Sequence, residues 1–299
     1  MLRRTVPRAG ARAYTDPTAH AALYFKASLG YGYYKGSAVM ELVKICATSL
    51  LLLPVAAFAA GPFDGTWKVS LQHIQLSKKP IVLLLNGGDY ICKSCLAPTT
   101  IKADGTDHKV KGNPNLDTTA VTVVDPNTVT AIFKLSGKTV QSTKWVVAAD
   151  GKSLEREDTS LYGAEPSIFK MRLTRVADAP AGAHALSGSW IESKVLGATG
   201  PGLVVTYGMT ADGFTMSSNG QTYDAKFDDK TYPVTGDPTK TVVNLKKISD
   251  SEVIESDSQK GQVVEVEHMT VSANGKTLHV VDTVMHGNRT TTFNMTKAP

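Results

Sequence analysis

The chain repeats itself, and this restricts its fold more than any other feature. From Tyr90 to Met171 each residue has a counterpart 124 positions on, without a gap, ending at Met295. In that register Val110-Lys111-Gly112-Asn113-Pro114 meets Val234-Thr235-Gly236-Asp237-Pro238, Val129 meets Val253, Gly137 meets Gly261 and Phe169 meets Phe293. The openings of the copies, Gly65-Thr66-Trp67 and Gly188-Ser189-Trp190, are offset by 123. The clearest marks are the segments Ala149-Asp150-Gly151-Lys152-Ser153-Leu154 and Ala273-Asn274-Gly275-Lys276-Thr277-Leu278. A period of this length makes the chain two copies of one unit, each large enough to bury its own core. The copies span residues 61–176 and 186–299. Residues 177–185 are rich in Ala with Pro180 and Gly182 and read as the linker.

Each unit reads as strands. Val129, Ala131, Phe133 and Leu135 alternate with Thr130, Ile132 and Lys134, and Phe169, Met171 and Leu173 alternate with Lys170, Arg172 and Thr174. Turn dipeptides recur between such runs, among them Asn86-Gly87, Asp104-Gly105, Asp212-Gly213 and Asn219-Gly220. Short strands with regular punctuation predict an all-β fold of two tandem antiparallel barrels, each of about eight or more strands.

The hairpins fix a register. A two-residue type I′ turn at Asn274-Gly275 pairs Val271 with Leu278 and Met269 with Val280; in the first copy it pairs Val147 with Leu154 and Trp145 with Arg156. Apolar pairs define the inner face. Asp158 and Asp282 share the parity of Leu154 and Leu278, so both copies carry an inward carboxylate, which needs a partner if buried. Glu267 falls opposite Asp282, a like-charge pair unless wet, protonated or bridged by a cation. Asp158, Asp282 and Trp145 are therefore the candidate ligand contacts. On the outer face His268 and His279 become diagonal neighbours, with His286 as a third imidazole. Lys144 and Glu155 occupy the same places in the first copy, so the face reads as solvent and no metal site is assigned.

Residues 40–60 follow the plan of a secretory signal: Met40-Glu41-Leu42-Val43-Lys44, an apolar run from Ile45 to Phe58, and an Ala57-Phe58-Ala59 cleavage site. The run is shorter than the ~20 residues of a membrane span. Bacterial Sec-type export to the periplasm or medium is expected, with no membrane span in the mature form; an uncleaved N-terminal anchor is the alternative. Residues 1–39 fit no module and are read as an upstream segment. The net charge of +5 is deceptive. The first 60 residues hold seven of the 32 basic side chains and two of the 27 acidic ones, so the remainder is formally neutral. Such a balance gives no electrostatic basis for binding nucleic acid.

Gly65-Thr66-Trp67 and Gly188-Ser189-Trp190, each heading a run of antiparallel strands, resemble the opening of the lipocalin-like (calycin) barrels. The wider pattern of signal, Tyr90-x-Cys92-x-x-Cys95, Asp-Gly turn and second barrel-like copy also looks like a group of uncharacterised secreted bacterial proteins. The resemblance implies that Trp67 and Trp190 plug barrel ends and that a late-strand arginine covers the tryptophan. Arg172 or Arg175 could serve in the first copy; in the second Thr296 stands in place of Arg172, with Lys297 nearby.

Cys92 and Cys95 are the only cysteines left after removal of the signal with Cys46. An oxidising compartment favours a local disulfide. Thioredoxin-type redox chemistry needs a helix N-terminus to lower the thiol pKa, whereas this pair follows a strand and precedes Pro98; two thiols are half a zinc site. No nucleophile elbow, zinc-protease motif or phosphate loop is present. The expectation is a cofactor-free, non-enzymatic, exported protein binding a small apolar or amphipathic ligand. The alternative is a structural or protein-interaction module of the cell envelope, packed solid.

Overall fold

The computed structural model describes residues 61–285 and 288–299; the upstream segment, the expected signal helix and His286 lie outside the described residues. The architecture is all-β, in two ten-stranded antiparallel sheets that nearly close into barrels.

The chain begins with β1 (Gly65–Gln75) and then lays down ten consecutive strands of one barrel. These are β2 (Ile81–Asn86), β3 (Asp89–Cys92), β4 (Thr99–Lys102), β5 (His108–Lys109) and β6 (Thr118–Asp125), followed by β7 (Thr128–Leu135), β8 (Lys138–Val147), β9 (Ser153–Ser160), β10 (Ser167–Ala177) and β11 (Gly188–Thr199). A single 3₁₀ turn, Pro201–Leu203, leads out of this barrel. The second barrel follows as β12 (Val204–Met209), β13 (Gly213–Ser218), β14 (Gln221–Lys226), β15 (Tyr232–Pro233) and β16 (Val242–Ser249), then β17 (Glu252–Gln259), β18 (Gln262–Val271), β19 (Thr277–Val284) and β20 (Arg289–Lys297).

The first strands are exchanged between copies. β1 lies between β12 and β20, with Trp67 opposite Val205 on one side and Lys297 on the other. β11 lies between β2 and β10, with Trp190 opposite Ile81 and Arg175. The sequence copies 61–176 and 186–299 and the barrels in space therefore differ by one strand each. Residues 177–185 join two neighbouring strands of the first barrel instead of separating the barrels. The crossings between barrels are the stretch after Gln75 and the turn at Pro201.

Both sheets nearly close, and backbone hydrogen bonds lace each seam. Thr222 of β14 and Thr235, just beyond β15, exchange backbone hydrogen bonds of 3.0 and 2.8 Å, and Gly105 N–H donates to the Val121 carbonyl at 2.8 Å beside the Asp104–Thr122 bridge. The exchange also sorts the cores. Phe63 and Trp67 pack with Phe214, Leu278 and Met295, while Leu186 and Trp190 pack with Leu83, Leu154 and Met171.

Each tryptophan is fully buried and held in the same way. Trp67 Nε1 donates to the Phe63 carbonyl at 2.7 Å and Trp190 Nε1 to that of Leu186 at 2.9 Å. Arg175 stands 4.0 Å from the centre of the Trp190 ring and Lys297 5.0 Å from that of Trp67. The cation over each indole thus comes from the other copy: Arg175 does not cover the tryptophan of its own repeat. Arg172 lies outside, 2.6 Å from Glu155.

The hairpin register is as expected, with Val271 opposite Leu278 and Val147 opposite Leu154. The turn is not. Ser272 N–H donates to Thr277 and Gly275 N–H to Ser272, leaving a four-residue connection in which glycine alone has positive φ (67°). A type I′ turn requires left-handed φ at both central residues, and Asn274 and Asp150 do not adopt it. Asn274 Oδ1 instead accepts the Lys276 N–H at 3.0 Å, an Asx turn that suits a right-handed residue before glycine. Cys92 and Cys95 form a disulfide across the turn between β3 and β4, with Cys92 facing the core.

Because Trp67 fills the barrel of the opposite copy, Trp67→Ala is expected to cost about 3–5 kcal/mol and to release first the amides of β12–β20. Trp190→Ala should release first those of β2–β10. Peptide-resolved hydrogen exchange reads this; loss of protection within the mutated residue's own sequence copy would contradict the exchange.

Candidate functional site: the cavity between the barrels

Trp67 pairs with Lys297 next to the Asn274-Gly275 hairpin, and Trp190 with Arg175 next to the Asp150-Gly151 hairpin, so each buried tryptophan lies toward the hairpin end of its barrel. Contacts between barrels sit at the opposite ends. Glu165 N–H donates to Asn219 Oδ1 at 2.9 Å, Asn219 Nδ2 donates to the Glu165 carbonyl at 2.8 Å, and Gly202 N–H donates to Ser167 Oγ at 3.0 Å.

A buried ion network crosses the same junction. Arg156 Nε lies 2.7 Å from Asp158, and its Nη2 lies 3.1 Å from one oxygen of Glu192. Arg289, from β20, lies 2.7 Å from the other Glu192 oxygen and donates to the Lys79 carbonyl at 2.9 Å. Arg156, Glu192 and Arg289 are at most 2% exposed. Burial opposes the charge on Arg156, but Asp158 and Glu192 hold its pKa above the ordinary arginine value; burial lowers that of Arg289. Two cations and two anions balance, which is how buried charge is tolerated.

The facing ends enclose a cavity of about 180 Å³. Its first-barrel wall is apolar or neutral, with Tyr90, Leu116, Thr119, Phe133, Gln141 and Tyr162. Its second-barrel wall carries Glu255, Asp257, Gln259, Glu265 and Glu267, and Asp237 lies at the same wall. Strand alternation puts them there. Val253 is fully buried, so Glu255, Asp257 and Gln259, two, four and six residues on, share its inward side. The register aligns the acids into rungs: Glu255 opposite Glu267 and Glu267 opposite Asp282, with Asp257 opposite Glu265. Directly opposed side chains lie about 5 Å apart, where two ionised carboxylates repel by about 3 kcal/mol at an effective dielectric of 20.

Burial and these charges together hold the neighbouring protons. Burial, reinforced by Glu267, pushes Asp282 up to about 7. Burial also pushes the phenols of Tyr207 and Tyr223 well up, with Glu267 and Glu255 as the largest respective charge contributions. Tyr223 donates its hydroxyl proton to Glu255. Asp237 is held below its usual value despite the opposing effect of burial, because Thr239 and Thr241 donate to it.

The expected contacts separate. Asp158 is satisfied by Arg156 and by the Thr143 hydroxyl at 2.6 Å, and belongs to the ion network. Trp145 is 1% exposed, its ring 6.3 Å from that of Tyr90; Tyr90 reaches the cavity wall and Trp145 stays in the core behind it. Asp282 stands opposite Glu267 on β19, between Val280 and Val284, which line the cavity. His268 pairs with Glu252 at 2.6 Å and His279 with Asn294 at 2.9 Å on the outer face.

Glu255, Asp257 and Glu265 were not among the expected residues, although a signal was present. Val129, Ala131 and Phe133 have the alternation of a half-buried strand, and the 124-residue offset carries Ala131 and Phe133 onto Glu255 and Asp257. Among the described residues no group of three or more His, Cys, Asp or Glu is arranged to hold a metal ion, and no helix is long and apolar enough to cross a membrane. Comparison with protein-family models, curated proteins and solved structures returns no match.

A pH dependence follows from Asp282. Its folded-state pKa of about 7 lies above the ordinary 3.8. Between these values the unfolded chain has lost a proton that the folded one keeps, so stability falls as pH rises through this window and levels off above it. Asp282→Asn should remove that part of the fall, raising stability at pH 8 by at most about 4 kcal/mol. Urea unfolding from pH 4 to 8 reads the difference; identical slopes in the two proteins would count against it.

Proposed function

We propose that this is an exported, lipocalin-like binding protein that holds one small amphipathic molecule between its two barrels, without catalysing a reaction on it. The observation that carries the reading is the cavity and the state of its polar lining. Thr119 Oγ1 and Gln259 Oε1 are buried on its wall without a hydrogen-bond partner among the described residues. Buried polar atoms left in this state are costly, and a ligand or ordered water is the usual remedy. A hollow with mixed apolar and polar lining at a domain junction is also where small-molecule sites tend to occur. The competing reading, a solid envelope module, suits the buried tryptophans but leaves the hollow at the facing ends unexplained.

Native mass spectrometry of the protein purified from its own source should show a co-purifying species that is lost on denaturation. Val264 lines the cavity at a break in the β17–β18 register, where a larger side chain meets less opposition than in the core. Val264→Trp should abolish the adduct with little change in melting temperature. An adduct retained in that variant, or none in the native protein, would argue for the solid module.

A further inference from the structure

Two polar side chains on the cavity wall stand where the other copy of the repeat has aliphatic ones. Gln259 occupies the place of Leu135, and Thr119 that of Val243. Both line the cavity, at 7% and 3% exposure. The fold accepts an apolar residue at either position, so the polar groups call for another reason.

The orientation of the Gln259 amide is settled by its neighbours. An amide carries an acceptor on one side and two donors on the other, and can present either to a partner. Asp237 accepts the N–H groups of Thr239 and Thr241, both at 3.0 Å, and its pKa lies below the usual carboxylate value, so it is ionised and can only accept. Thr239 therefore directs its one hydroxyl proton to Asp237, at 2.6 Å. The 3.0 Å contact between the two threonine hydroxyls then takes the proton of Thr241. Both hydroxyls have only lone pairs left, and the Gln259 nitrogen donates one hydrogen to each, at 2.9 and 3.0 Å. The Gln259 oxygen is thereby fixed as a buried acceptor on the wall, without a hydrogen-bond partner among the described residues. The Thr119 hydroxyl, on the first-barrel wall, has none either. A buried acceptor held in one orientation discriminates between guests, because one that cannot donate leaves it unpaired.

We propose that Gln259 selects the ligand: the molecule in the cavity carries a hydroxyl or amide N–H that it donates to Gln259 Oε1, with its apolar part against Leu116, Phe133 and Tyr162. This rests on the binding reading above and names the group by which the ligand is recognised.

The test uses the full chain and two isomers, 1-octanol and 1-methoxyheptane, which differ in whether the oxygen carries a proton. In calorimetric titrations the alcohol should bind about tenfold or more tightly than the ether. In Gln259→Leu, a change to the residue of the other copy, the alcohol should lose that advantage and the two isomers should bind within about twofold of each other. The ligand-free melting temperature of this variant should hold or rise, since a buried unpaired acceptor has gone. A merely structural glutamine would lower the melting temperature and leave the ratio of the two affinities as it was. Equal binding of alcohol and ether by the native protein, or a ratio that survives in Gln259→Leu, would overturn the assignment and leave the binding reading standing. Binding of neither isomer would overturn both. The native-protein comparison can overturn the assignment even if the variant does not fold.

Discussion

An antiparallel sheet becomes a barrel only when its terminal long strands find partners, and here each barrel obtains the missing strand from the other repeat. β1 fits between β12 and β20, and β11 between β2 and β10. Without that exchange two edges in each sheet would present unpaired backbone groups. The tryptophan–cation contacts follow from it as well, since Trp67 and Trp190 travel on the exchanged strands and meet Lys297 and Arg175 of the other copy. Glu192, carried in on β11, is gripped by Arg156 from its own barrel and Arg289 from the next. Strand pairing, the tryptophan–cation contacts and the inter-barrel ion network are thus consequences of one topological choice.

The duplicate barrels then divide their roles. Toward their hairpin ends each buries a tryptophan beside a cation. Their facing ends have diverged, with Phe133, Gln141 and Thr143 on one side and Asp257, Glu265 and Glu267 on the other. The repeated aspartate shows how much context matters. Asp158 meets Arg156 in an ion pair, while Asp282 has Val280 at the place of Arg156 and has its pKa raised by burial, with Glu267 adding to it. One backbone position thus sits in two different electrostatic surroundings.

Much of this was legible in the chain because a strand's period of two and a hairpin's register are local properties. The pairs Val271–Leu278 and Glu267–Asp282, and the outward histidines, come directly from them. The same logic reaches further than the hairpins: Arg156, opposite the inward Trp145, had to be inside, and Glu255 and Asp257 follow from the parity of Val253. The exchange was not legible. β1 and β11 carry the same Gly-x-Trp pattern, so each satisfies either barrel's closing position, and no local feature distinguishes the two. The choice is made by the short crossings and by long-range partners such as Glu192 and Arg289. The turn type also escaped, since Asn-Gly serves both a mirror-image turn and an Asx turn ahead of a left-handed glycine.

The exchange sets an order of assembly. The first barrel is continuous, from Ile81 to Thr199, and all its strands are available as soon as that stretch is in hand. The second must join Lys68 to Thr296, 228 residues away, before its sheet is complete. Loop closure over such a separation comes late in folding. A chain threaded across a membrane from its N-terminus would therefore emerge with its leading strand unpaired and be expected to hold it so until the last strand follows. The earliest segment to arrive would be the final one to settle, and the cavity, which needs both barrels, would exist only after the whole chain has crossed.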